Sequence, residues 1–221
     1  MNKKRFFKYK NLPVFSLLFL TACIENAPMD SLSPAGPYAR QIDDLFWLTF
    51  WIAVGVFFIV QGALIFSVFY FRDMPGKPEP KQIHGNNVLE LMWTIIPILI
   101  LAAIAVPTVR TIFDLAREPE GALKIEVIGH QWWFEYKYPD YGITTANVLV
   151  IPADTPVRLE MWSNDVLHNY WVPKLNGKRY LVPGQKTYLN LHADSPDEFW
   201  AQCGEYCGLS HSKMRGRVLS L

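Results

Sequence analysis

The sequence predicts a pair of membrane-spanning helices followed by an all-β sandwich or small barrel. Two apolar runs in the first half, Leu45–Phe71 and Leu91–Val109, contain no charged residue. From about residue 121 the chain changes to short runs rich in Val, Ile, Tyr and Trp, separated by turn residues, as in all-β domains. The net charge is +1 and no basic stripe is present, so nothing in the charge pattern favours a nucleic-acid partner.

Residues 1–22 resemble a bacterial lipoprotein-type signal peptide. A basic head precedes an apolar run that is too short to span a bilayer, and this run ends in LTAC, which places Cys23 where a lipidated cysteine would become the first mature residue. The alternative is a cleaved signal with an incidental cysteine. Residues 23–44 would then form an exported, Pro-rich segment ahead of the helices.

Residues 45–110 are predicted to form the helix hairpin. At a rise of about 1.5 Å per residue, the first run is longer than a hydrocarbon core of about 30 Å requires, and the second is just long enough. Pro97 and Pro107 lie in the second run. Proline is costly in a soluble helix but is tolerated in membrane helices, so these residues do not argue against a span.

The basic residues around the two runs predict the orientation of the hairpin in a bacterial inner membrane. The segment between Cys23 and the first run has only Arg40, whereas the connecting loop, residues 72–87, has three basic residues: Arg72, Lys77 and Lys81. The positive-inside rule therefore places this loop in the cytoplasm and the β domain outside. Arg110 and Arg117 follow the second run and weaken the charge count, but the predicted signal peptide supports the same orientation.

Four side chains that bind metals lie close together in AQCGEYCGLSHSKM: Cys203, Cys207, His211 and Met214. The spacing fits neither a c-type haem motif nor a thioredoxin-like motif, since both need C-x-x-C. A disulfide is the structural alternative in an exported domain, and a zinc site would leave the thioether unused. A thioether is a soft ligand that favours copper, so copper is the leading interpretation while the other two stay open.

A second thiolate allows two copper ions to be bridged, and each ion would then need a histidine. His211 supplies one, and the second must come from outside the loop. His168, in NDVLHNYWVP, follows a predicted strand and is the main candidate. His130 in GHQWWFEY is the competitor, whereas His84 lies in the predicted cytoplasmic loop and His192 lies between acidic turn residues.

These motifs resemble those of subunit II of the haem-copper cytochrome c oxidases. The resemblance extends from the first membrane helix to residue 221, about four-fifths of the chain. The matching stretches are NVLELMWTIIP, GHQWWFEY, DVLHNYWVP and QCGEYCGLSHSKM. The resemblance implies that residues 121–221 form a cupredoxin-like domain.

The resemblance also implies a dinuclear copper centre, CuA, in which two thiolates bridge the metals, two imidazoles each bind one copper, and two weak axial ligands complete the site. These ligands would be, in that order, Cys203 and Cys207, His168 and His211, and Met214 with the backbone carbonyl of Glu205. The side chain of Glu205 would face subunit I and help to bind magnesium or manganese there.

Two further residues take roles from the resemblance. Trp132 would receive the electron from cytochrome c, although Trp133 adjoins it and strand alternation alone does not choose between them. Glu90, placed just before the second helix on its cytoplasmic side, would stand at the entrance of a proton pathway shared with subunit I. An ordinary helix-start acid, favoured by the helix dipole, is the alternative for Glu90.

The chain departs from the family pattern at a few positions. Lys137 stands where some members have an acidic residue, which leaves Asp140 and Asp165 as candidates for the acidic surface that docks cytochrome c. Arg215 follows Met214 at a position that proline often occupies. The sequence has no C-x-x-C-H, so we expect no appended c-type haem domain.

The resemblance therefore implies that this chain is the electron-entry subunit of a terminal oxidase. Electrons would come from a c-type cytochrome and pass to haem in subunit I, where oxygen is reduced to water with proton translocation, in a membrane complex that includes subunit III. A copper-free quinol oxidase subunit II with a structural role is one alternative. A membrane-anchored copper sensor or storage protein is the other.

Overall fold

The computed structural model describes residues 27–76, 78–79 and 81–221. The predicted signal peptide, the lipid anchor at Cys23 and the loop residue Lys77 lie outside the described residues. Within them, two long helices are followed by ten strands in two sheets. The predicted fold class, a helix hairpin followed by a cupredoxin-like β-sandwich, is confirmed.

The two helices are α1, Pro37–Tyr70, and α2, Asn87–Ala116. Both are long and apolar enough to cross a membrane, and the most apolar window of each is not buried against the rest of the chain. Apolar side chains that find no partner in their own chain are those that lipid or another subunit must cover. Helix α2 continues through Pro97 and Pro107, as the membrane interpretation allows.

The start of α2 corrects the predicted position of Glu90. The Asn86 side chain caps the helix by accepting hydrogen bonds from the backbone N–H groups of Val88 and Leu89, at 3.1 and 3.2 Å. The helix therefore begins before the apolar run, and Glu90 lies in its first turn rather than ahead of it. Its carboxylate accepts a hydrogen bond from the Asn86 N–H at 3.3 Å, which completes a reciprocal cap.

Ten strands follow the helices. In chain order they are β1 Leu123–His130, β2 Trp133–Tyr138, β3 Ile143–Ala146, β4 Val148–Ile151, β5 Val157–Ser163, β6 His168–Trp171, β7 Lys178–Leu181, β8 Thr187–Leu191, β9 Asp197–Cys203 and β10 Arg215–Ser220. One sheet has the order β3-β2-β1-β5-β8 and the other β4-β10-β9-β6-β7. The β1–β5 and β4–β10 pairs are parallel and the other pairs are antiparallel.

The core lies between the two sheets and is built by alternation along the strands. In β2, for example, Phe134, Tyr136 and Tyr138 are buried while their neighbours are partly exposed. The Tyr136 hydroxyl donates to the Tyr170 hydroxyl of the opposite sheet at 3.2 Å, so the core holds a polar contact that joins both layers. This packed frame fixes the strand ends from which the candidate site is built.

The helices are tied to the β domain by the segment before α1. The Ala35 N–H donates to the Lys174 carbonyl at 2.8 Å, and the Asp194 N–H donates to the Ala35 carbonyl at 3.0 Å. Arg40 forms an ion pair with Asp194. Gly36 lies so close to the domain that an added Cβ would overlap the carbonyl oxygen of His192.

We expect Gly36→Ala to destabilise this junction by about 1–3 kcal/mol, the usual cost of forcing extra atoms into packed space. Thermal unfolding of the full chain in detergent, followed by tryptophan fluorescence, measures the effect. Gly55→Ala is the matched control, because a Cβ added there meets nothing within 4 Å. Equal melting temperatures for the two variants would contradict the predicted close packing.

Candidate metal centre

Two buried thiols form the centre of the site. Cys203 ends β9 and Cys207 lies in the loop that follows, and both are free, with their Sγ atoms 3.8 Å apart. The structure therefore does not adopt the disulfide alternative. Together with His168, these residues form a cluster whose candidate ligand atoms all lie within 4.8 Å of one another.

Sheet pairing brings His168 to the thiols. Strands β6 and β9 are antiparallel, with Tyr170 opposite Cys203, so the start of one strand lies beside the end of the other. The Gly204 N–H donates to the Asn169 carbonyl at 2.9 Å and fixes this approach. As a result, the fully buried His168 holds its Nδ1 4.0 Å from the Cys203 Sγ, although 35 residues separate them in sequence.

The other three predicted ligands surround the thiols. The Nδ1 of His211 lies 3.5 Å from the Cys207 Sγ, and the Sδ of the buried Met214 lies 3.7 Å from the same sulfur. The Glu205 carbonyl oxygen lies 3.3 Å from the Cys203 Sγ. All six predicted ligands thus meet in one place, and each thiol contacts one imidazole nitrogen and one further donor atom.

The electrostatic environment makes the two thiols unequal. Burial raises the pKa of Cys203, but hydrogen bonds from His168 and from the backbone outweigh burial and lower this pKa overall. Burial, followed by repulsion from the Cys203 thiolate, raises the pKa of Cys207. One thiol therefore ionises easily, while the other keeps its proton until a cation replaces it.

Asp165 positions His168. Its Oδ1 lies 2.8 Å from the His168 Nε2, so the opposite ring nitrogen, Nδ1, faces the thiols. The carboxylate is itself held by the backbone N–H groups of Gln131 and Val166, both at 2.6 Å. The sequence placed Asp165 only on a docking surface, which stays a prediction. The three-residue spacing of DVLH was the signal that could have indicated this second role.

We expect Asp165→Asn to lower copper affinity by about 10- to 100-fold, the usual effect of losing a carboxylate that orients a histidine ligand. Competition with a chelator of known affinity measures the loss. Asp140→Asn is the matched control, because Asp140 is exposed and lies in a turn away from the thiols. Equal affinities for the two variants would show that the Asp165–His168 contact does not support metal binding.

The structure separates Trp132 from its neighbour Trp133. The Trp132 indole N–H donates to the Cys207 carbonyl at 3.2 Å, and Gln131 donates to the same oxygen at 2.8 Å. Trp133 instead stacks on His130, with ring centroids 4.5 Å apart. Trp132 is therefore the tryptophan of this pair that contacts the thiol loop.

The competing histidine, His130, contacts Glu135 and Trp133. Its Nε2 lies 2.9 Å from the Glu135 Oε2, and its ring is covered by Trp133. His192 lies 3.5 Å from a carboxylate oxygen of Asp154. These contacts support His168 as the distant histidine of the site.

The remaining predicted site residues lie outside the cluster. The Glu205 carboxylate accepts a hydrogen bond from the Tyr180 hydroxyl at 3.1 Å. Glu90 lies at the far end of α2, and the 26 residues from there to Ala116 rise roughly 40 Å. The structure therefore does not bring Glu90 to the candidate metal centre.

The fold and the site together define a membrane-anchored β-sandwich protein with a candidate site for soft metals. Residues 28–111 match the family described as cytochrome c oxidase subunit II, transmembrane domain, and residues 142–220 match its periplasmic domain. The chain belongs to the cytochrome c oxidase subunit II family. Trp132 lies between the two matched segments.

Curated cytochrome c oxidase subunits and curated quinol oxidase subunits are both similar to this chain. A cytochrome c oxidase subunit 2 from Alkalihalophilus pseudofirmus is 38% identical over 94% of this chain and 63% of its own length. A quinol oxidase subunit 2 from Bacillus cereus (strain ATCC 14579) is 30% identical over 98% of this chain and 76% of its own length. The chain spans about three-fifths of the length of the first curated relatives that it matches.

Among solved structures, the periplasmic domain of subunit II of cytochrome oxidase (CoxB) from Bradyrhizobium japonicum is similar to this chain. It is 25% identical, with a TM-score of 0.45, over 47% of this chain and 86% of that domain.

Proposed function

We propose that this chain is the electron-entry subunit of a terminal oxidase and that the six-residue cluster holds a dinuclear CuA centre. One observation carries the proposal: two free, buried thiols lie 3.8 Å apart, and each contacts its own imidazole nitrogen. Metal–thiolate bonds are about 2.3 Å long, so an ion can reach both sulfurs at this separation. Thiolate, imidazole and thioether donors together favour copper over zinc.

Bound copper would supply a one-electron centre shared between two metals. The chain would supply its rigidity, because Cys203 and His168 project from paired strands of a packed sheet and Asp165 fixes the imidazole ring. Ligands held in this way move little when the charge of the site changes, which keeps the cost of electron transfer low.

The surface around the cluster supports a route for electrons into the chain. Trp132 is partly exposed and contacts the Cys207 carbonyl, so it would be the residue that meets a c-type cytochrome. Subunit I would receive the electron at its haem and reduce oxygen to water. Glu205, held by Tyr180, would face subunit I beside a magnesium or manganese ion.

The membrane arrangement follows from the same proposal. The loop of residues 72–87 would face the cytoplasm, where Glu90 in the first turn of α2 would admit protons to a pathway shared with subunit I. The β domain would lie on the outer side of a bacterial inner membrane. Cys23 would carry a lipid anchor, and subunit III would complete the complex.

The second candidate function is that of a copper-free quinol oxidase subunit, and the similarity to the Bacillus cereus quinol oxidase subunit 2 favours it. A subunit with a purely structural role has no use for two buried thiols that face two imidazoles and a thioether. The complete ligand set therefore favours the cytochrome c class.

A donor assay distinguishes these two functions. The oxidase that contains this chain would be purified and given either reduced cytochrome c or a quinol as its only electron source. We expect oxygen consumption with cytochrome c, and we expect copper removal by a chelator to stop it. Turnover with quinol that survives copper removal would assign the chain to the structural, copper-free class.

A further inference from the structure

A cavity of about 480 Å³ lies where the two helices meet the β domain. Its apolar wall comes from the helix ends that adjoin the domain and includes Ile42, Ile112 and Leu115. Ile42 lies three residues before the first apolar run and Ile112 three residues after the second. At about 1.5 Å per residue this is about 4.5 Å beyond the runs, which corresponds to the headgroup layer of a bilayer.

The opposite wall of the cavity is cationic. It includes Arg158 of β5 and Lys178 and Arg179 of β7, and no carboxylate lines the cavity. Among the residues that the structure describes, no acidic side chain forms an ion pair with any of these three cations. The Lys178 ammonium lies 5.1 Å from the centre of the Trp171 ring, a cation–π contact that involves no acidic group.

Arg158 is the buried member of this set. It is 9% exposed, its Nη1 donates to the Asn190 Oδ1 at 2.7 Å and to the Ala116 carbonyl at 3.3 Å, and its guanidinium lies 4.6 Å from the centre of the Tyr188 ring. Its Nε has no hydrogen-bond partner. A buried cation with an unused donor and no counter-ion is costly unless an anion approaches it.

We propose that this cavity binds the headgroup of an anionic phospholipid. The lipid phosphate would lie against Arg158, Lys178 and Arg179, and the acyl chains would follow Ile42 and Ile112 down the exposed apolar sides of α1 and α2. A free anion would leave the apolar wall uncovered, and a zwitterionic lipid would bring a positive group towards Lys178 and Arg179. The bound lipid would join the helix hairpin to the β domain at the membrane surface.

Native mass spectrometry of the full chain tests this proposal. The chain would be reconstituted in nanodiscs of equal phosphatidylglycerol and phosphatidylcholine, transferred to mild detergent, and analysed for retained lipid. We expect retention of phosphatidylglycerol. Because each basic residue near a membrane surface contributes about a fivefold gain in affinity for anionic lipid, the exposed double variant K178Q/R179Q should retain it much less.

R217Q is the matched control, because Arg217 is an exposed arginine on β10, pairs with Glu198 and does not line the cavity. Its lipid retention should equal that of the unmodified chain.

Equal retention of both lipids, or unchanged retention in K178Q/R179Q, would overturn the proposal. Displacement of the lipid by excess inorganic phosphate would assign the site to a free anion. If the lipid were absent from the assembled oxidase, the cavity would be assigned to a carboxylate of the partner subunit. Both results would also overturn the proposal.

Discussion

Replacement of Cys207 by serine is expected to abolish the electronic signature of a shared pair of copper ions while leaving the fold intact. The Cys207 Sγ has three donor atoms around it, since it lies 3.8 Å from the Cys203 Sγ, 3.5 Å from the His211 Nδ1 and 3.7 Å from the Met214 Sδ. A serine hydroxyl is a harder ligand that does not replace a thiolate on copper. Copper affinity should fall by more than about 100-fold, beyond the loss caused by changes outside the ligand set.

Metal analysis and circular dichroism would measure copper content and fold in the same preparation of Cys207→Ser. Cys23→Ser is the control for removal of a thiol, because Cys23 is not one of the proposed ligands. We expect the control to bind copper like the unmodified chain. If Cys207→Ser still bound two copper ions and its electron paramagnetic resonance spectrum were unchanged, Cys207 would not bridge the metals.

Replacement of Trp132 by phenylalanine is expected to slow electron uptake from reduced cytochrome c by roughly tenfold or more, which corresponds to an increase of about 1.4 kcal/mol in the barrier. Phenylalanine keeps an aromatic ring but cannot donate the hydrogen bond that joins the Trp132 indole to the Cys207 carbonyl. The copper ligands are untouched, so the spectrum of the loaded site should change little. Stopped-flow oxidation of cytochrome c measures the rate.

Trp133→Phe is the matched control for this prediction. Trp133 belongs to the same aromatic pair, but it stacks on His130, whereas the hydrogen bond to the Cys207 carbonyl comes from Trp132. We expect nearly unchanged electron uptake from this variant. Similar slowing in both variants would mean that the rate reflects general packing of the surface rather than entry through Trp132.

The ligand loop was predictable because its donors are local in sequence and chemically distinctive. Cys203, Cys207, His211 and Met214 lie within 12 positions, and a thioether narrows the choice of metal. His168 could be chosen only by assuming a topology, and the antiparallel β6–β9 pair is what brings this residue to Cys203. The choice of His168 over His130 followed from strand order, and the Glu135 contact of His130 gives it a physical reason.

Other features depend on tertiary contacts between residues that are distant in sequence. Asp165 resembles a solvated acid until the fold sets its carboxylate against His168 and the Gln131 N–H. Arg158 sits in an alternating strand, where an arginine usually points to solvent, but the end of α2 buries it. Both helices begin before their apolar runs. Asn86 caps α2 ahead of its run, and α1 starts at Pro37 within a polar segment.

The most direct test of the central claim is the electron paramagnetic resonance spectrum of the full chain after loading with copper. Two thiolates between two imidazoles should place one unpaired electron equally on two copper nuclei, with the hyperfine pattern of a shared electron and two copper ions per chain by metal analysis. The pattern of a single copper ion, or a chain that retains no copper, would contradict the assignment of a CuA centre.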